Sequence, residues 1–130
     1  MIYIKSLVLS PNTAKETPEP VTIKLSSCIL TKVAVEFPRG CYWLVGVRVF
    51  LAKHQLYPTS PDEWLVSDGQ LITFEDNTIV DSVGYNLTIE GYNLDEYYTH
   101  TIRFYLDAVE TSGRVYRPTV LVPAAAYMGV

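Results

Sequence analysis

The 130 residues are 48% hydrophobic and 18% charged, a composition that builds one globular domain and excludes a disordered chain. No apolar run approaches the roughly 20 residues that span a bilayer, and two cysteines exclude a disulfide-framework miniprotein. A net charge of −4 argues against nucleic-acid binding, which needs clustered Lys and Arg to neutralise phosphates.

The opening stretch, MIYIKSLVLSPNTAKE, lacks a basic start and a long apolar core, so no signal peptide is expected. Ile2, Ile4, Leu7 and Leu9 break register in the middle, which suits an edge strand or an arm. Residues 11–20 hold three prolines and no large apolar side chain and read as an extended linker. Residues 1–20 are therefore set apart from a sandwich domain spanning 21–110.

Within that domain strand patterns dominate. Val21, Ile23 and Leu25 alternate with polar residues, as do Val33, Val35 and Phe37. Val45, Val47, Val49 and Leu51 share one face, while Leu44, Gly46, Arg48 and Phe50 on the other suggest partial cover on both sides. Pro38-Arg39-Gly40 reads as a tight reversal that pairs 30–37 with 42–51 as a hairpin. Pro58, Pro61 and Asp68-Gly69 bracket a loop, with one helical turn expected at Pro61-Asp62-Glu63-Trp64. Tyr85, Leu87 and Ile89, then Ile102, Phe104 and Leu106, supply the last alternating runs.

Seven or eight short strands with turns between them predict an all-β, antiparallel β-sandwich. Cys28 and Cys41 stand 13 positions apart with no Trp between them, unlike an immunoglobulin domain. The long connection over 52–70 favours a jelly roll. Past Arg117 the chain reads PTVLVPAAAYMGV with no charged side chain, so 111–130 is expected to be an apolar C-terminal arm or last strand.

Catalytic and cofactor signatures are missing. His54 and His100 lack the short-range partners that zinc needs. No G-x-S-x-G, P-loop or G-x-G-x-x-G occurs. Cys28 and Cys41 read as buried free thiols. Asp62-Glu63, Glu75-Asp76 and Asp95-Glu96 fall in loops or at strand ends, where solvated carboxylates are the ordinary case. No catalytic, cofactor-binding or metal residue is assigned, and no enzyme is expected.

Charge is uneven along the chain. Residues 1–53 hold seven bases and three acids, a net of +4, whereas residues 54–110 hold one base and eleven acids, a net of −10. One reading is a surface with two oppositely charged sides, suited to packing of identical copies. The other is interleaving of strands from both halves. Tyr92, Tyr97 and Tyr98 cluster around Asn93-Leu94-Asp95-Glu96, and tyrosine favours both interfaces and sugar stacking.

Three motifs carry a family resemblance: the F-P-x-G-C turn (Phe37, Pro38, Gly40, Cys41), the Y-P…P-x-x-W-L loop (Tyr57, Pro58, Pro61, Trp64, Leu65) and the Y-x-H-T-I strand entry (Tyr98, His100, Thr101, Ile102). Over about residues 30–108 the chain resembles the small β-sandwich auxiliary or decoration proteins encoded among the head genes of tailed viruses. That resemblance implies a jelly-roll-like subunit, a trimer or other homo-oligomer, bound to a major capsid or other virion protein. It also implies a place in the virion, assembled in the host cytoplasm of a bacteriophage infection. The interface expected on this reading comprises Trp64, Tyr92, Tyr97 and Tyr98 in two loops, with Val120, Leu121, Tyr127 and Met128 in the tail. The alternative is a carbohydrate-binding or adhesin module using the same tyrosines.

Overall fold

The computed structural model describes residues 2–80 and 86–110. They form strands β1 (Ile2–Leu9), β2 (Glu19–Lys24), β3 (Cys28–Phe37), β4 (Val45–Leu51), β5 (His54–Tyr57), β6 (Leu65–Val66), β7 (Gln70–Val80), β8 (Asn86–Asn93) and β9 (His100–Glu110). Two antiparallel sheets result, one in the order β1-β9-β3-β7 and the other β2-β8-β4-β5, with β6 also paired to β4. Their inner faces bury one apolar cluster, so the fold is a β-sandwich.

Alternation fills that cluster. Val45, Val47 and Val49 point inward from β4, Leu87 and Ile89 from β8, and Ile102, Phe104 and Leu106 from β9. Each large side chain removed from water contributes roughly 1.5–3 kcal/mol. Cys28 and Cys41 are buried free thiols in the same cluster.

Residues 2–9 are the edge strand of the first sheet. Their broken apolar spacing has a simple origin, because the apolar side chains change faces along one regular strand. Ile2, Ile4 and Val8 are exposed while Leu7 and Leu9 are buried. Leu7 and Leu9 press on the second sheet at Gly91, where an added Cβ would lie 2.8 Å from Leu7 and 3.0 Å from Leu9.

The expected hairpin between 30–37 and 42–51 does not form. β3 pairs with β7 and β9, whereas β4 pairs with β8, β5 and β6. The Pro38–Gly40 turn carries the chain from one sheet to the other. At 61–64 there is a turn in place of the expected helical turn, with Asp62 at φ 64° and the Glu63 N–H donating to the Ser60 carbonyl. The 52–70 connection is no plain loop, since β5 and β6 both lie inside it.

Interleaving also explains the charge asymmetry. Strands β1–β4 come from the basic half and β5–β9 from the acidic half, and neighbours in both sheets alternate between the two. Lys32 thus faces Glu75 and Asp107 across the ladder, Glu36 faces Arg103, and Arg48 faces Glu90. Opposite charges meet strand by strand, so the two-sided reading is replaced by cross-strand complementarity.

Candidate interaction surface

The connection β3–β4 (38–44) and the connection β8–β9 (94–99) meet at one end of the sandwich. The Leu94 N–H donates to the Leu44 carbonyl at 2.9 Å. The Cβ position of Gly40 lies 3.9 Å from the His100 ring. Both connections are short and polar-anchored, and both project large apolar side chains into solvent.

In the first, Gly40 (φ 104°), Tyr42 (φ 47°) and Trp43 (φ 59°) all occupy positive φ. Two consecutive non-glycine residues there cost of order 1–3 kcal/mol each and persist only where the surroundings impose them. Asp68 anchors the first part of the turn: its Oδ1 accepts the Gly40 N–H at 2.9 Å and the Tyr42 N–H at 3.1 Å. The Leu44 N–H closes the turn on the Cys41 carbonyl at 2.8 Å. The rings of Tyr42 and Trp43 are left 67% and 63% exposed.

The second connection is built around Asn93 and Asp95, both buried. Asn93 Nδ2 donates to the carbonyls of Leu9 (3.1 Å) and Tyr98 (2.9 Å), and its Oδ1 accepts the Asp95 N–H at 3.0 Å. Asp95 Oδ1 accepts the N–H groups of Tyr97 (2.9 Å) and Tyr98 (3.3 Å), while Oδ2 lies 2.9 Å from His100 Nε2. The Tyr97 N–H, followed by the His100 bond, holds the Asp95 carboxyl below its usual range, against the opposing effect of burial. Backbone bonds between Thr13 and Asn93 and from the Asn12 N–H to the Asp95 carbonyl staple the β1–β2 segment beneath. On this pinned backbone Tyr97 is 80% and Tyr98 68% exposed.

Tyr42, Trp43, Leu44, Leu94, Tyr97 and Tyr98 therefore form an exposed aromatic tip on a backbone already ordered. Rigid aromatic anchors lose little conformational entropy on binding, which is what an interface hot spot requires.

The expected interface residues separate. Tyr97 and Tyr98 lie at the tip. Tyr92 does not. It is 3% exposed and faces outward from β8 onto the flank of the second sheet. There it lies against Gly46 of β4, with Trp64 edge-on at 4.8 Å between ring centres and Lys15 Nζ 5.0 Å from its ring centre. Trp64 is half-buried on that same flank, its ring centre 4.1 Å from the Arg48 guanidinium carbon, where it covers part of the sheet. Val120, Leu121, Tyr127 and Met128 lie outside the described residues. Tyr42, Trp43, Leu44 and Leu94 are the tip residues that strand periodicity concealed, because 42–44 read as the start of β4. Their signal was three consecutive large apolar residues directly after a Pro-Gly turn.

Burial, with the nearby Asp68 and Asp95 charges, pushes the Cys41 thiol up to about 11, and burial raises Cys28 as well. Both stay protonated at neutral pH and are poor nucleophiles. Among the described residues no group of three or more His, Cys, Asp or Glu side chains is placed to hold a metal ion. Among them, too, no helix is long and apolar enough to cross a membrane. No protein-family model and no curated protein matches this chain.

Proposed function

We propose that this chain is a non-enzymatic virion structural protein, a capsid decoration or cement subunit that binds a symmetric shell as a homo-oligomer, with a trimer favoured. The observation that carries the reading is the aromatic tip: six large apolar side chains held in solvent by loops whose backbone is anchored by Asp68, Asn93 and Asp95. Exposed apolar patches of this kind mark association surfaces, and repetition over a shell multiplies weak contacts through avidity. Residues 118–130, which hold no charged side chain, supply a second apolar contact.

The strand order supports a jelly roll. Setting β6 aside, the first strand pairs with the last (β1·β9), and β2·β8, β3·β7 and β4·β5 nest inside it. This is a long hairpin folded over on itself, an architecture used by viral capsid and lectin domains.

The test is the mass in solution of the full chain beside a Tyr42→Ser, Trp43→Ser, Tyr97→Ser variant, with a search for the chain in purified particles. An oligomer that the triple variant reduces to folded monomers, and recovery of the chain from particles, support the reading. A monomeric parent chain missing from particles overturns it. The same rings could stack on sugars, so a glycan array provides the contrast: saturable binding lost in Trp43→Ala would assign the tip to a carbohydrate-binding or adhesin module.

A further inference from the structure

The large exposed hydrophobic side chains of the described residues fall into two groups. Six are the tip. The other six, Ile2, Ile4, Val8, Leu71, Ile79 and Val109, all belong to strands of the β1-β9-β3-β7 sheet. None lies on the opposite sheet, part of whose outer flank is covered by Trp64 and Lys15 over Tyr92 and Arg48. Among the described residues, the large apolar side chains that the strands leave in water thus share one flank, the unfinished one.

The unfinished flank has a definite shape. A shallow cavity of about 370 Å³ draws on all four strands, with Ile2, Asp107 and Lys32 in one cross-strand row, Tyr105, Ala34 and Thr73 in the next, and Leu71 beyond them. Its two charges cancel, so a charged ligand gains nothing there and an uncharged apolar one buries greasy surface. The Tyr105 hydroxyl is already committed, donating to Glu36 Oε1 at 2.9 Å.

The chain itself carries a segment of that chemistry. It leaves β9 at Glu110, three positions after Asp107, and residues 118–130 contain no charged side chain. Fully extended, the connector 111–117 spans up to about 23 Å, more than the roughly 14 Å across a four-stranded sheet. The connector alone therefore crosses the width of the sheet, and the thirteen residues of 118–130, up to about 43 Å when extended, run along its length; tethering raises the local concentration of the segment to about the millimolar range.

We infer that the outer flank of the β1-β9-β3-β7 sheet is the seat of the C-terminal segment 118–130. This rests on reading that segment as a docking element, and not on the virion role. Occupied, the seat covers the exposed side chains that β1, β7 and β9 otherwise leave in water.

The experiment uses the full-length chain with a photocrosslinking p-benzoylphenylalanine at Leu71, and a control with the same residue at exposed Thr22 on the other sheet. After irradiation the adducted peptides are identified by mass. Adducts from position 71 onto 118–130, at least tenfold above those from position 22, and lost on adding Val120→Asp and Leu121→Asp, support the seat. No tail adduct, or equal adducts from both positions, overturns it. Mixing isotope-heavy and light chains shows which copy donates the segment. A monomer with a tail adduct within one chain keeps the seat while sinking the oligomeric reading, and an oligomer lacking tail adducts does the reverse.

Discussion

The Leu94 N–H and the Leu44 carbonyl, 2.9 Å apart, join two connections that are fifty positions apart in the chain. One bond of this kind contributes only about 1 kcal/mol. Its consequence is geometric: the Tyr42-Trp43 turn and the Tyr97-Tyr98 turn become one surface. The support beneath them yields specific expectations.

Asn93 is the keystone of that support, with its amide bridging three backbone groups from β1 and its own loop. Asn93→Ala leaves two carbonyls and one N–H without those partners, and should cost about 2–4 kcal/mol. Urea denaturation reads this as a lower midpoint at constant slope. An unchanged midpoint would show that water substitutes freely for the amide.

The lowered Asp95 pKa sets a direction for pH dependence. A carboxyl held below its unfolded value contributes stability in full above that value, about 3.9. The contribution is lost as pH falls through the lower folded value. Amide exchange of Tyr97 and Tyr98 should therefore be slow from neutrality to about pH 4 and should accelerate, after correction for intrinsic rates, in more acid solution. Asp95→Asn should remove the acid-side transition, and a transition that persists in this variant would disprove its assignment to Asp95.

Gly46 is required by Tyr92. A Cβ at position 46 would sit inside van der Waals contact with the Tyr92 ring, directly across the β4–β8 ladder. Gly46→Ala should destabilise by about 1–3 kcal/mol, the usual range for overpacking. Combined with Tyr92→Leu it should cost less than the two single changes together. Strict additivity in that cycle would place the clash elsewhere.

Cys41, raised to about 11, and the buried Cys28 should resist alkylation in the native protein. At pH 8 iodoacetamide should label them at least on the order of a hundredfold more slowly than in urea, since the thiolate is the reactive form. Rapid labelling of either thiol would mean that the core opens locally.

The inward faces of β4, β8 and β9 were legible because alternation is a local property: neighbouring side chains on an extended chain point to opposite sides whatever lies beyond them. The antiparallel sandwich class followed from the number and spacing of such runs. Pairing was not legible. Backbone hydrogen bonds are chemically alike for every partner strand, so nothing within 30–37 distinguished the neighbour at 42–51 from β9, more than sixty residues away.

The same reasoning applies to the candidate surface. The exposure of Tyr97 and Tyr98 was legible because they flank an obvious turn. Tyr92 was misplaced because its burial depends on Trp64 and Lys15 arriving from remote loops, and Tyr42 and Trp43 were missed because they sit at positive φ in a turn anchored by the distant Asp68. Periodicity along the chain decides which way a strand residue points. Which outward-pointing residues stay in water is decided by segments distant in sequence, because covering a sheet face is a contact made across the fold.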